Sequence, residues 1–445
     1  MKPTCLIAVW VAGLLAMAGT GGRVAHTAAS VAASVSAQAP APAAAPAAGG
    51  RNECATCHAA ERDARMSAPA AAHAGDVHTQ RGIGCVACHG GDATATDKDR
   101  AMSAAAGFKG RLVGQAQVQA CARCHSDATY MRTFSPKQRV DQAVEYATSA
   151  HGRRLADGDT RVATCASCHG AHGVRAVSDA KSPVYATNVA ATCGSCHTDA
   201  ARMTRADGTK HPVTAVADYG TSVHFDALTK QRDLSAPTCN DCHGNHGAAP
   251  PGVDAVSNVC GTCHAVFAAR FESSPHKPVF EKACVDCHGN HAVTRPANTL
   301  LGTGEGALCV TCHSEKDDPG FRGAAAMRAS IDRLSGHIAK ASSVVERARN
   351  VGMDVGNPEM ALGKARDQLM LARTEIHAFN PAKVDGVAAD GDKAAAEAEA
   401  GGYTALEEWS FRQRGLAASL VLTLAVVGAL TLKIRQIDRR RAAGP

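Results

Sequence analysis

Cys165-Ala-Ser-Cys-His-Gly-Ala-His172, Cys239-Asn-Asp-Cys-His-Gly-Asn-His246 and Cys284-Val-Asp-Cys-His-Gly-Asn-His291 are three copies of one eight-residue pattern. Its Cys-x-x-Cys-His core recurs nine times, as Cys54/Cys57/His58, Cys85/Cys88/His89, Cys121/Cys124/His125, Cys165/Cys168/His169, Cys193/Cys196/His197, Cys239/Cys242/His243, Cys260/Cys263/His264, Cys284/Cys287/His288 and Cys309/Cys312/His313. These motifs consume eighteen of the nineteen cysteines and leave only Cys5. The spacing is the attachment signature of c-type haem: two thiols form thioethers to the vinyl groups, and the adjacent imidazole lies under the iron. A zinc site would pair two Cys-x-x-Cys units. Nine is an odd number, and neither zinc nor disulfides account for a histidine after every second cysteine. Nine covalently bound haem c groups are therefore expected.

Composition agrees. Of 445 residues only 16 are aromatic; both tryptophans (Trp10, Trp409) lie outside residues 51–313, and just ten Phe or Tyr lie inside. That stretch cannot build an aromatic-rich core, which argues against a Rossmann or barrel enzyme, and neither a collagen-like nor a wholly disordered chain fits. Its 263 residues leave about 29 for each motif, too few to wrap nine cofactors singly. The haems are expected to pack on one another and supply the interior. The chain's net charge is +6, but 51–313 holds 26 Lys/Arg against 24 Asp/Glu. No basic patch with interleaved aromatics is present, so nucleic acid is not an expected partner.

Nine further histidines lie in the haem region: His73, His78, His151, His172, His211, His224, His246, His276 and His291. Nine spare imidazoles for nine irons favour bis-histidine ligation. Tyr146-Ala-Thr-Ser-Ala-His151 matches Tyr219-Gly-Thr-Ser-Val-His224, each followed by a Cys-x-x-Cys-His-Gly-x-His run ending at His172 or His246. A shorter third copy runs from Ser273-Ser-Pro-His276 through His291 to Cys309, so one unit carries two haems and two spare histidines. The first unit departs from this, with Asp92 where later units have histidine; His73 and His78 lie just upstream, and one of them is expected to serve the haem at Cys54. His211 precedes Pro212, outside the repeat. His337 and His377 read as ordinary helix residues. Met66, Met102, Met131 and Met203 are the alternative ligands, without a repeated position.

These runs resemble the doubled Cys-x-x-Cys-His multihaem cytochromes, related to class III cytochromes and periplasmic multihaem carriers. The resemblance covers about 51–313 and implies a haem-packed, mainly α and irregular fold with bis-histidine haems and electron-transfer activity. It does not identify a substrate.

The flanks set the architecture. Residues 1–39 read as a signal peptide, with the apolar run Cys5–Met17 and the small-residue stretch Ala37-Gln38-Ala39, and 40–50 as an Ala/Pro linker. The haem domain spans 51–318. In the membrane-proximal segment 319–414, Met327, Ile331, Leu334, Ile338, Val345 and Ala348 form one helical stripe; Ala361, Ala365, Leu369, Ala372 and Ile376 form another. A turn with an Asn357 cap and Pro358 separates them, and Asn380-Pro381 stops the second. This helical hairpin is followed by a third helix from about Asp392 and one transmembrane helix over 415–434, with a basic tail at 435–445. Eighteen uncharged residues, Gly415–Leu432, at ~1.5 Å rise just span a bilayer. Arg439, Arg440 and Arg441 beyond them place the tail in the cytoplasm and the haem domain in the periplasm, on the inner membrane. The expected activity is electron carriage between a membrane donor, such as a quinol-linked protein, and periplasmic redox acceptor proteins, without catalysis. The alternative is a multihaem reductase or dehydrogenase of a small nitrogen or sulfur compound. The hairpin reads as a spacer or dimerising stalk, or as a dock for a membrane partner.

Overall fold

The computed structural model describes residues 52–205, 207–252, 256–442 and 444; the signal run and the linker lie outside them. Helix accounts for 61% of the structure. Among the described residues the only β pairing is an isolated bridge between Thr204 and Lys210.

From residue 52 to 318 the chain is a string of short helices and turns. Motifs two, four, six and eight each form a five-residue helix starting at the first cysteine: Cys85–His89, Cys165–His169, Cys239–His243 and Cys284–His288. Two of these helices start on capping boxes, Thr164 with Ser167 and Thr238 with Asp241. The glycine after each has positive φ (Gly90, Gly170, Gly244, Gly289), which lets the chain leave the helix within one residue. Motifs one, three and five instead close longer helices, Glu53–Ala59, Gly114–His125 and Val189–His197. The side-chain core here is thin. Val118, Leu155, Val189, Tyr219, Leu228 and Phe271 are its larger buried members, scattered over more than 150 positions.

The C-terminal part is built differently. Helices Pro319–Asn350, Gly356–Glu375 and Pro381–Ala442 pack as a three-helix bundle. Its first two members follow the apolar stripes. The second starts at Gly356 with Val355 as its cap, not at Asn357, because the Asp354 carboxylate accepts the Gly356 amide at 2.9 Å. The third begins at Pro381, eleven residues before the expected Asp392. Its buried seam is Val384, Ala388, Gly391, Ala395, Ala398, Gly402 and Ala405, spaced three and four apart. Small residues are needed there: a Cβ at Gly402 would stand 2.9 Å from Val344 Cγ1 and 3.3 Å from the Val345 nitrogen. Such a seam carries little hydropathy, which hid it in the sequence. The same helix continues through the apolar run, whose window is 0% buried in the protein and long enough to cross a membrane. From Pro381 to Gly415 the helix rises about 50 Å.

Candidate haem sites

Two metal–nitrogen bonds of about 2 Å, with roughly 1.1 Å from nitrogen to ring centre on each side, put two imidazoles sharing one metal ion roughly 6 Å apart. Eight motif histidines have another imidazole at that distance. His89 faces His172 at 6.1 Å, His169 faces His246 at 6.1 Å, His243 faces His291 at 5.9 Å, and His288 faces His377 at 6.1 Å. His125 faces His78 at 6.0 Å, His197 faces His151 at 6.2 Å, His264 faces His224 at 6.4 Å, and His313 faces His276 at 6.0 Å.

The two sets differ in construction. At the even-numbered motifs the ring planes lie 10°, 11°, 16° and 23° apart. The partner in the first three comes from the Gly-x-His that closes the next even motif along the chain. At motifs three, five, seven and nine the planes cross at 87°, 72°, 39° and 89°. There the partner lies upstream of the preceding even motif. It stands two residues after a buried polar residue: Asp76 before His78, Ser149 before His151, Ser222 before His224 and Ser274 before His276.

These buried residues fix the partner's backbone. Ser149 Oγ accepts the Gly152 amide at 2.8 Å, and Ser222 Oγ accepts the Phe225 amide at 3.1 Å, capping the helices that carry His151 and His224. Ser274 accepts the His276 amide at 3.3 Å. Asp76 takes the part with a carboxylate, accepting the His78 and Val174 amides at 2.8 and 2.9 Å. Burial opposes its ionisation, yet these amides and the His78 ring hold the carboxyl below the usual range. Tyr146 and Tyr219, opening the two long repeats, donate to the carbonyls of Ala163 and Pro237, just before motifs four and six. A polar residue two positions before a histidine was thus the sequence signal for this partner set.

Second hydrogen bonds orient several rings and engage Nδ1. His89 Nδ1 pairs with the Gly110 carbonyl at 2.8 Å, His243 Nδ1 with the Ala249 carbonyl at 3.2 Å, and His78 Nδ1 with Asp76 at 2.9 Å. His313 Nδ1 pairs with the Asp318 carboxylate. Such partners leave Nε2 for a metal and raise ligand basicity. Burial first, and the facing imidazole second, push the His125, His151, His169, His172 and His224 rings toward the neutral form that a metal requires.

The remaining predicted residues stand elsewhere. His58 donates toward the Met66 carbonyl at 3.3 Å, and among the described residues no imidazole faces it. His73 is engaged by the Thr79 hydroxyl, 2.7 Å from Nδ1, so neither His73 nor His78 faces the first motif. His211 sits beside the Thr204–Lys210 bridge, its amide bonded to the Met203 carbonyl at 3.0 Å. It lies within electrostatic reach of His197, but the ring facing His197 is His151. In the bundle His337 meets Asp392 and Glu399, an ordinary helix-face role. His377, which also reads as a helix residue, is brought against His288.

The cysteines connect the motifs in sequence order. First cysteines lie beside one another across motifs one and two (Cys54 and Cys85), three and four (Cys121 and Cys165), five and six (Cys193 and Cys239), and seven and eight (Cys260 and Cys284). The other steps pair Cys88 with Cys124, Cys168 with Cys196, Cys242 with Cys263, and Cys287 with Cys309 and Cys312. Every motif therefore neighbours the next, with no step skipped.

Five second cysteines are exposed: Cys57, Cys88, Cys242, Cys263 and Cys312. Cys57 differs from the other four in its neighbours, because the thiol within its electrostatic reach is Cys54 of its own motif. Second cysteines elsewhere lie against the motif that follows or precedes theirs. The first motif ends the array, and its contact with motif two is already made by Cys54, so no neighbouring motif covers Cys57. With His58 unfaced as well, the first motif differs from the other eight, among the described residues, in having neither a facing imidazole nor a second cysteine beside a neighbouring motif.

No curated protein and no solved structure matches the chain. The family described as doubled CXXCH motif matches residues 157–202 and 276–318. The chain thus carries, in those two stretches, the doubled CXXCH motif of multihaem c-type cytochromes.

Proposed function

We propose that this chain is a membrane-anchored nonahaem cytochrome that carries electrons between a membrane donor protein and periplasmic redox acceptors, without catalysing a reaction of its own. The observation that carries this reading is the unbroken succession of nine motifs, eight of them with a facing imidazole at about 6 Å. Bound haem supplies one-electron iron chemistry, and closely neighbouring sites make that chemistry a relay. The protein's part is to hold, orient and exclude. The eighteen motif cysteines tether the cofactors. At the motifs where a ring faces the motif histidine (His78, His151, His172, His224, His246, His276 and His291), the two imidazoles together would hold the iron and so deny a substrate access to it; His58 alone has no such partner among the described residues. Carboxylates on Nδ1, as at His78 and His313, favour the oxidised state at those positions.

The bundle supports a stalk role. It separates the last motif from the apolar span by most of a long helix, and the basic residues after Leu432 favour a cytoplasmic C-terminus with the haem domain in the periplasm.

Intact mass of the purified protein tests the count: nine haem additions are expected, and seven or fewer would overturn it. Protease added to spheroplasts should remove the haem domain; a resistant haem domain with a cleaved tail would invert the topology. A redox titration should spread over a broad, mostly negative range, with carbon monoxide binding by the ferrous protein confined to about one haem, the one at the unfaced His58. Turnover of nitrite, hydroxylamine or a sulfur oxyanion would replace the carrier reading with that of an enzyme.

A further inference from the structure

Each even motif takes its facing ring from the Gly-x-His of the next even motif: His89 from His172, His169 from His246, His243 from His291. This rule runs out at motif eight. The only motif after it, at Cys309–His313, continues Ser314-Glu315-Lys316 and offers no such histidine. Yet His288 is not left alone. His377 stands 6.1 Å away with planes 23° apart, in the same near-parallel class as the other three.

The turn bearing His377 is built into the array. Residues Ile376–Ala378 form a single 3₁₀ turn between the second and third bundle helices. His377 Nδ1 pairs with the Thr374 carbonyl at 3.2 Å, which frees Nε2. The Phe267 ring lies edge-on to it at 5.1 Å. On one side, buried Glu375 accepts Arg270 Nε at 2.6 Å. On the other, Phe379 adopts φ +50°, a costly conformation for an aromatic residue, and so brings its ring to 3.9 Å from His276, the ring facing His313. One short turn thus contacts the surroundings of motifs seven, eight and nine.

We propose that His377 is an axial ligand of the haem iron bound at His288, so that the helical bundle ends the array by supplying the imidazole that a further repeat would have supplied. The proposal rests on the bis-imidazole reading of the other pairs. It makes the bundle part of the redox domain, joined to it by a metal–ligand bond.

The test uses the full-length haem-loaded protein. His377→Ala should convert one further haem to high spin in the ferric electron paramagnetic resonance spectrum and add one equivalent of carbon monoxide binding in the ferrous state. Added imidazole should reverse the spin change. His377→Met should keep that haem low-spin and raise its potential, since Met/His pairing does so; this variant serves if the alanine form does not accumulate. His337→Ala, in the same bundle, should change neither spectrum. His246→Ala is the reference for the underlying reading. If His246→Ala yields one high-spin haem while the His377 variants match the parent in spectra and potentials, His377 is a packing residue and the proposal fails alone. If neither position responds, the bis-imidazole reading falls and takes this proposal with it.

Discussion

The array of motifs and the three-helix bundle solve the same problem, closing an interior, with different materials. The bundle does it with side chains: Leu334, Ile338, Val345, Leu362 and the Ala/Gly seam of the long helix meet in one continuous cluster. The array has few buried apolar residues per motif, and its repeated contacts are imidazole facing imidazole and thiol against thiol. The bundle's fold is therefore written in apolar burial, whereas the array's is written in positions that hold a cofactor. Removing what each is made of should have different consequences.

The largest difference should come from replacing Cys165 and Cys168 by alanine. Without thioether attachment at the fourth motif, the neighbouring motifs three and five lose the group they pack on, much as small metallodomains lose their fold without metal. Limited proteolysis should degrade the array and leave a resistant fragment beginning near residue 319. An array as resistant as the parent's would show that side chains alone hold it.

Leu334→Ala is the converse. Leu334 is fully buried against the long helix, and a cavity there should cost about 2–5 kcal/mol. Hydrogen exchange should accelerate across the three bundle helices while the haem absorption bands stay unchanged. Acceleration spreading evenly through residues 52–300 would merge the two regions into one cooperative unit.

Ser222→Ala acts inside the array without touching a cofactor site. Losing this buried cap should cost about 1 kcal/mol, localised to the helix Val223–Thr229. Faster exchange there, with a change in the spectrum of one haem only, is the expected outcome. A change at several haems would mean that the array responds as a block.

The smallest effect concerns acid. The Ser330 hydroxyl first and the Arg333 guanidinium second hold the Asp385 carboxyl below the usual range. A lowered carboxyl stabilises the fold fully above the ordinary carboxylate value and loses that contribution as pH falls through its own lower value. Asp385 is exposed, so the contribution should stay under about 1 kcal/mol. The stability difference between parent and Asp385→Asn bundles, followed by helical circular dichroism from about pH 5 to pH 2, should shrink to nothing in acid; a difference that persisted there would assign Asp385 a packing role.

The cofactor-bearing residues were legible because their chemistry is local. Five consecutive residues bring two thiols and an imidazole to one face of a single helical turn, and no distant contact is needed to place them. Whether a motif then meets a second imidazole is not local, and His58 shows it: the same five-residue pattern, at the first position of the array, has no ring facing it among the described residues. The bundle's first two helices were legible for a similar reason, since a stripe of Met327, Ile331 and Leu334 repeats with the helix itself. The seam of the third helix was not, because Ala388, Gly391 and Ala395 contribute shape rather than hydropathy.

Pairing lay beyond the sequence. Counting nine spare histidines against nine motifs included His211 and set aside His377, whereas the folded chain places His151 opposite His197 and His377 opposite His288. Asp92 looked like a defect in the first unit. In the folded chain the histidine at its position serves the even motif before its own, and no even motif precedes the second. By itself, then, the sequence determined which residues attach the cofactors, that the region between them has too few side chains to fill itself, and that one apolar helix follows. Only the tertiary structure decided which imidazole faces which, because the partners stand several helices apart along the chain and, at the even motifs, come from the next repeat or from the bundle.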